Sequence, residues 1–191
     1  MKKSLFGAIM LVIAISASAQ NYKASFGINA GTFNGLSYKG FLSDHLVLQV
    51  DFGVNIEGTY GQVDWYSNGG VIGGSHGMQT FYTCELNPNL MYQAEISSGN
   101  AGTLSWFAGG GLSAGMMNSL DIRNSHPTFK WGLNGIGGIE FKFSNVPLSM
   151  SFDLRPGYGM STYSIGTAGV QATAVNSFFD WKAAVGVRYV F

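Results

Sequence analysis

Residues 46–58, LVLQVDFGVNIEG, alternate large apolar side chains with polar or small ones. Such a period of two describes a β-strand with one apolar and one polar face, because successive side chains point to opposite sides of a strand. In a soluble protein the apolar face would point into the core, whereas in a membrane barrel it would point outward at lipid. The rest of the chain decides between these two folds.

The same alternation recurs along the chain and predicts eight strands. We place them at 24–30, 35–42, 46–58, 80–94, 103–117, 130–143, 148–158 and 179–191. Short connections fall at 43–45, 97–102 and 144–147, and long connections rich in Gly, Ser, Asn and Thr fall at 58–78, 118–129 and 161–177. A tight hairpin at 32–34 is the exception to this regular order. An even number of strands of about 10 residues, with short turns at one end and long loops at the other, is typical of outer-membrane barrels.

Composition agrees with a membrane barrel of one domain. Only 10% of the 191 residues are charged, against roughly 25% in soluble domains. The formal net charge is zero, so no basic field indicates nucleic acid as a partner. After residue 20 the chain has no apolar run of about 20 residues, which a transmembrane helix would need.

The N-terminus predicts a secretory signal peptide. Lys2 and Lys3 precede an apolar stretch at 5–15 that is too short to span a bilayer, and Ala-Ser-Ala at 17–19 offers a cleavage site. We therefore expect a signal peptide at 1–19 and one outer-membrane β-barrel domain at 20–191. The fold class that we predict is all-β, an eight-stranded antiparallel up-and-down transmembrane β-barrel, preceded by this cleavable signal peptide.

Charged residues collect on the face opposite the apolar one. They are Lys39, Asp51, Glu85, Glu140, Lys142, Asp153, Arg155, Lys182 and Arg188. An eight-stranded barrel has a narrow interior, which the large apolar side chains would overfill, so a soluble barrel of lipocalin type is disfavoured and the charges are expected inside. Buried charges are costly unless paired. We predict an ion-paired network that closes the lumen, and the alternative is a narrow water path whose selectivity these charges set, with the inward glycines leaving room for water.

Aromatic residues lie mostly near the ends of the apolar face. Tyr and Trp at such positions form the girdles of membrane barrels at the two membrane interfaces. The girdle that we predict comprises Tyr82, Tyr92, Trp106, Trp131, Tyr158 and Trp181.

Three stretches resemble a known family. The chain ends in WKAAVGVRYVF, which looks like the C-terminal signal that the barrel-assembly machinery recognises, with Tyr189 and Phe191 at its alternate positions. GTLSWFAGGGLSAG, followed by GIGGIEFKFSNVPLSMSFDLRPGYG, resembles the small OmpA/OmpX-like outer-membrane β-barrel domain family. The resemblance covers essentially all of 20–191 and implies a barrel with periplasmic termini and external loops, but no activity. Unlike full-length OmpA-type proteins, the chain is expected to stop at the barrel, without a periplasmic domain.

This resemblance sets the expected location and partners. We expect a monomer in the outer membrane of a Gram-negative bacterium, in contact with outer-membrane lipids and lipopolysaccharide. During biogenesis its partners would be periplasmic chaperones and the barrel-assembly machinery. No nucleic-acid partner is expected.

No motif predicts an enzyme. DFG at 51–53 lies inside a predicted strand without other kinase elements, and the glycine runs at 109–111 and 135–138 do not open a helix as phosphate loops do. His45, His76 and His126 lie in turns or loops, and none sits on a predicted strand beside a serine. We expect no catalytic residue, metal or cofactor.

Three functions remain open at this point. The favoured one is a structural or surface-interaction barrel with a closed lumen and long external loops. The alternative is a small pore for water and small solutes, and the third is a membrane-embedded lipid-modifying enzyme. The aromatic-containing segment 58–78 either binds partners or, as we favour, extends its hairpin beyond the membrane.

Overall fold

The computed structural model describes residues 22–67, 70–119, 128–167 and 170–191. The predicted signal peptide at 1–19 lies outside them. The strands, in chain order, are β1 Ala24–Gly31, β2 Phe33–Phe41, β3 Leu46–Ser67, β4 Gly70–Gly99, β5 Gly102–Ser119, β6 Thr128–Phe143, β7 Leu148–Thr167 and β8 Val170–Val190. The described residues include no helix that is long and apolar enough to cross a membrane.

All eight strands pair antiparallel with their sequence neighbours, and β1 pairs with β8 to close the barrel. Pairing keeps side chains of one parity on one face of the sheet. In β3, Phe52 and Val54 point outward and are exposed, whereas Asp51 and Asn55 point inward and are fully buried. The predicted fold class and the predicted orientation of the two faces are confirmed.

The two ends of the barrel differ, and we name them by their contents. The terminal end holds Tyr22, Phe191 and the turns at 42–45, 100–101 and 144–147, and the loop end is the opposite one. The β1–β2 hairpin is short and turns at Thr32. Gly31 has a φ of 153°, which favours glycine, and Asn34 bonds both backbone groups of Gly31.

Beyond this short hairpin, β3 and β8 pair directly with each other. Their register runs from Tyr60 opposite Phe179 to Tyr66 opposite Thr173. The barrel wall therefore has eight strands near the terminal end and six near the loop end. A six-stranded tube is the narrower of the two, because barrel diameter grows with strand number.

This pairing corrects two of the predicted loops. Residues 161–177 are strand, apart from 168–169, which lie outside the described residues, and so are residues 58–78 apart from 68–69. The prediction of a loop at 161–177 was wrong, and the hairpin extension favoured for 58–78 is confirmed for the backbone. Gly and Asn have weak strand propensity, but hydrogen bonding to neighbouring strands overrides it. For the third loop, β5 reaches Ser119 and β6 begins at Thr128, so 120–127 lie outside the described residues.

Inward glycines make room for the rings of neighbouring strands. A Cβ atom at Gly159 would lie 2.6 Å from the Phe178 ring, and one at Gly138 would lie 2.8 Å from the Phe107 ring. Both distances are too short for a side chain to fit without movement of the ring. The expectation that inward glycines leave room for water is corrected at these positions, since aromatic side chains fill the space.

We predict that Gly159→Ala lowers the free energy of unfolding by about 1–3 kcal/mol, the usual cost of overpacking. Gly99→Ala is the control, because no atom lies within 4 Å of a Cβ there. Urea unfolding, followed by the heat-dependent gel shift of folded barrels, measures both. Adding Phe178→Leu to Gly159→Ala should cost less than the sum of the two changes. Additive costs would contradict the packing relation.

Candidate functional site

Inside the barrel, ten charged side chains are buried, five basic and five acidic among the described residues. They are Lys39, Asp51, Glu85, Lys130, Glu140, Asp153, Arg155, Asp180, Lys182 and Arg188. Eight of the nine charged residues that we predicted to point inward belong to this set. The ninth, Lys142, is half-buried at the terminal end, where its Nζ lies 5.4 Å from the centre of the Tyr22 ring.

The terminal cluster consists of Lys39, Glu140 and Arg188. Nζ of Lys39 lies 2.7 Å from Oε2 of Glu140, and Nη1 of Arg188 lies 3.9 Å from the same oxygen. The Arg188 guanidinium also donates to Ser37, Ser151 and Asn29 at 2.6–3.1 Å. Gly186 accommodates it, since a Cβ there would lie 2.8 Å from Nη1. The cluster carries one excess positive charge.

The central cluster consists of Asp51, Asp153 and Arg155. Nη1 of Arg155 donates to Oδ2 of Asp51 at 2.7 Å, and its Nε donates to Oδ1 of Asp153 at 2.5 Å. Asn29 and Gln49 donate to the Asp51 carboxylate at 3.0 and 2.8 Å. One guanidinium thus joins β3 to β7 across the lumen. The cluster carries one excess negative charge, opposite to the terminal cluster.

The loop cluster consists of Glu85, Lys130, Asp180 and Lys182 and has no net charge. Nζ of Lys182 lies 2.5 Å from Oε1 of Glu85, and Nζ of Lys130 lies 3.4 Å from Oε2 of the same carboxylate. Both lysines also pair with Asp180, at 3.2 and 3.3 Å. This cluster links β4, β6 and β8.

Sequence reasoning missed Lys130 and Asp180 as members of the network. The signal was present in the parity of the strands. Lys130 shares the parity of Glu140 on β6, and Asp180 shares that of Lys182 on β8, so both had to point inward.

Apolar side chains occupy the lumen on both sides of the charges. Towards the terminal end the layer comprises Tyr22, Phe41, Val47, Met91, Phe107, Ile136 and Val190, and towards the loop end it comprises Met117 and Phe178. Lys39 lies 4.7 Å from the centre of the Phe107 ring, and Lys130 lies 4.8 Å from that of Phe178. Such cation–π contacts favour the charged form of a desolvated amine. Both apolar layers thus lie inside the barrel together with the charged clusters.

All six residues of the predicted girdle are exposed on the outer face, where they and Tyr189 form two belts of rings. Tyr92, Trp106 and Tyr189 lie near the terminal end, and Tyr82, Trp131, Tyr158 and Trp181 lie towards the loop end. Tyr92 and Trp106 have centroids 5.7 Å apart. Between the belts, no outward position of the described residues holds a charged side chain.

Tyr189 and Phe191, the predicted assembly signal, both point out of the barrel at the terminal end. Their side chains are 55% and 57% exposed and their rings stack with centroids 6.5 Å apart. The backbone of Phe191 accepts bonds from Lys23 and Ala24 and donates one to Ala24. The last residue therefore takes part in the β1–β8 closure.

The histidines form no described catalytic or metal site. His45 lies in a terminal turn, stacked on Tyr92 with centroids 5.1 Å apart. The side chain of His76 and the whole of His126 lie outside the described residues. Among the residues that the structure describes, no group of three His, Cys, Asp or Glu residues is close enough to hold a metal ion.

Solved structures share this architecture. The chain superposes on the outer membrane protein OprG from Pseudomonas aeruginosa with a TM-score of 0.53 and 15% sequence identity, over 92% of this chain and 84% of OprG. The chain has the fold of the small outer-membrane β-barrels. The predicted resemblance to OmpA/OmpX-like barrels is thereby confirmed at the level of the fold.

Two further structures are similar with lower scores. The N-terminal β-barrel domain of Pseudomonas aeruginosa OprF has a TM-score of 0.43 and 14% identity, over 88% of this chain and 95% of that domain. Neisserial surface protein A has a TM-score of 0.42 and 15% identity, over 88% and 93% of the two chains. No family model matches the chain, and no curated protein matches it significantly.

We predict that Arg155→Met lowers the free energy of unfolding by about 3–5 kcal/mol, because it leaves Asp51 and Asp153 buried without their cation. Lys23→Met is the control, since Lys23 is exposed at the terminal end and such surface changes stay within about 0.5 kcal/mol. Urea titration of the folded barrel measures both. Equal stability of the two variants would show that the central cluster does not depend on Arg155.

Proposed function

We propose that the protein is an integral outer-membrane barrel with a sealed lumen and a structural or surface-interaction role. The outer face supports a membrane location. Tyr82 and Tyr92, from opposite belts, are ten residues apart on β4, or roughly 33 Å at about 3.3 Å per residue. A strand tilt of about 40° reduces this to roughly 25 Å, the height of the apolar band in outer-membrane barrels.

The observation that carries the sealed lumen is the pairing of all ten buried charges within the barrel. A conducting lumen has to offer ions a hydrated path, and these charges are already occupied by one another. Apolar layers on both sides of the clusters oppose hydration further. The network thus acts as an internal brace across the strands.

The long strands support a surface role. On β3, Ile56 lies opposite Tyr82 of the loop-end belt, and the strand continues for eleven more residues to Ser67. At about 3.3 Å per residue and the same tilt, β3 and β4 project roughly 25–30 Å beyond that belt. In this proposal the terminal end faces the periplasm and the projection faces the outside, where it contacts lipopolysaccharide or other surfaces.

Biogenesis follows from the same proposal. The signal peptide exports the chain, periplasmic chaperones hold it, and the barrel-assembly machinery reads Tyr189 and Phe191. No enzymatic activity is proposed. The closed wall of a single chain needs no second copy, which supports a monomer.

A narrow water path is the second candidate, and one observation favours it. Gln49 Oε1, Thr83 Oγ1 and Asn134 Oδ1 are buried in the lumen without a hydrogen-bond partner in the protein. Such groups are satisfied by water in many proteins.

Planar-bilayer conductance separates the two candidates. We expect the chain, refolded in detergent and shown to be folded by its heat-dependent gel shift, to give no discrete current steps. Glu140→Gln and Arg155→Gln are the lumen variants, and Tyr158→Leu, on the outer face, is the control. Reproducible steps whose ion preference changes in either lumen variant, but not in the control, would replace the sealed barrel by the pore.

A further inference from the structure

Tyr22 precedes the first strand, yet its side chain lies inside the barrel at the terminal end and is 8% exposed. Its hydroxyl donates to Oε1 of Glu140, and its ring packs edge-on against Phe41 with centroids 5.0 Å apart. Burial raises the pKa of the Tyr22 phenol well above its ordinary value, and the Glu140 carboxylate adds to this. The hydroxyl therefore stays protonated and donates at neutral pH.

The backbone beside Tyr22 is fixed by the closure of the barrel. The N–H groups of Lys23 and Ala24 donate to the Phe191 carbonyl at 3.2 and 3.1 Å, and the Phe41 N–H donates to the Lys23 carbonyl at 3.1 Å. These bonds hold the chain from Lys23 onward. The Tyr22 side chain is thus attached directly before a backbone segment that the barrel closure holds in place.

Four polar atoms near Tyr22 have no hydrogen-bond partner in the protein. They are Ser25 Oγ, Gln49 Oε1, Gln93 Oε1 and Ser149 Oγ, all on residues that are at most 2% exposed. Their registers place them around the terminal cluster, with Ser25 and Gln49 each opposite Lys39 and Ser149 opposite Arg188. Burial of an unsatisfied polar group is unfavourable, because its hydrogen bonds to water are lost and not replaced. The four unsatisfied groups therefore destabilise the state in which Tyr22 encloses them. The burial of the Tyr22 side chain stabilises that state.

We propose that Tyr22 is a plug in the periplasmic mouth, and that its withdrawal admits water to a vestibule lined by these four polar groups. The proposal rests on the sealed barrel of the proposed function, with the terminal end in the periplasm. The central and loop clusters do not contact Tyr22 and remain paired when it leaves. The vestibule is therefore blind: it opens to one side and does not conduct.

Thiol accessibility tests the plug. A cysteine replaces Ser149 in a Cys84→Ala background, and a charged, membrane-impermeant methanethiosulfonate is added to the folded full-length barrel in detergent. We expect Tyr22→Ala to raise the rate of modification by about tenfold or more, because the closed state then loses its cover. Tyr22→Phe keeps the ring and should stay near the parent rate, and Tyr158→Ala, on the outer face, should leave the rate unchanged.

Two results would overturn the plug: an unchanged rate in Tyr22→Ala, or fast modification of Ser149→Cys while Tyr22 is in place. If Tyr22→Ala does not give the gel shift of a folded barrel, Tyr22→Leu is judged by the same criterion.

Ser161→Cys, near Lys130 of the loop cluster, tests the proposed function separately. Modification of this cysteine in a barrel that retains Tyr22 would mean that the lumen is open from the loop end. The comparison of Tyr22 with Tyr22→Ala at position 149 would still test whether Tyr22 is a plug.

Discussion

A charge inside an eight-stranded barrel has to find its partner inside the same barrel, because its burial costs several kcal/mol that solvent no longer offsets. The ten buried charges meet this condition with five of each sign. The terminal cluster has one positive charge in excess and the central cluster has one negative charge in excess, so the ten described charges sum to zero. Arg155, held between Asp51 and Asp153, shows how one planar guanidinium can satisfy two carboxylates on different strands.

Other features of the fold follow from these buried side chains. Two large inward side chains lie against glycine, Phe178 against Gly159 on the neighbouring strand and Arg188 against Gly186 on its own strand. Between the aromatic belts, the outward positions of the described residues hold no charged side chain. The change from eight to six strands beyond the β1–β2 hairpin narrows the barrel towards the loop end, where Phe178 and Met117 lie in the lumen.

Much of this could be predicted from the sequence, because a period of two fixes both the strand and the face on which each residue lies. That period puts Asp51, Glu140 and Arg188 on the polar face, and the narrow interior of an eight-stranded barrel predicts that this face points inward. Their partners could not be predicted, since Asp51 and Arg155 are 104 residues apart and meet only through the stagger of the strands around the barrel. The full lengths of β3 and β8 could not be predicted from the sequence either. The pairing of Tyr60 with Phe179 overrides a local amino-acid composition that is typical of loops. Tyr22 lies before the first strand, so no strand period predicted where its side chain points.

We infer that the apolar face of the wall contacts lipid and that the polar face lines the lumen. Spin labels placed one at a time at positions 48–56 of β3, in lipid vesicles, test it most directly by their collision rates with oxygen and with a water-soluble nickel chelate. We predict high oxygen accessibility at the even positions, which include Val50, Phe52 and Val54, and low accessibility to both reagents at the odd ones, which include Asp51. High oxygen accessibility at the odd positions, or nickel accessibility at the even ones, would show that the apolar face of β3 does not face lipid.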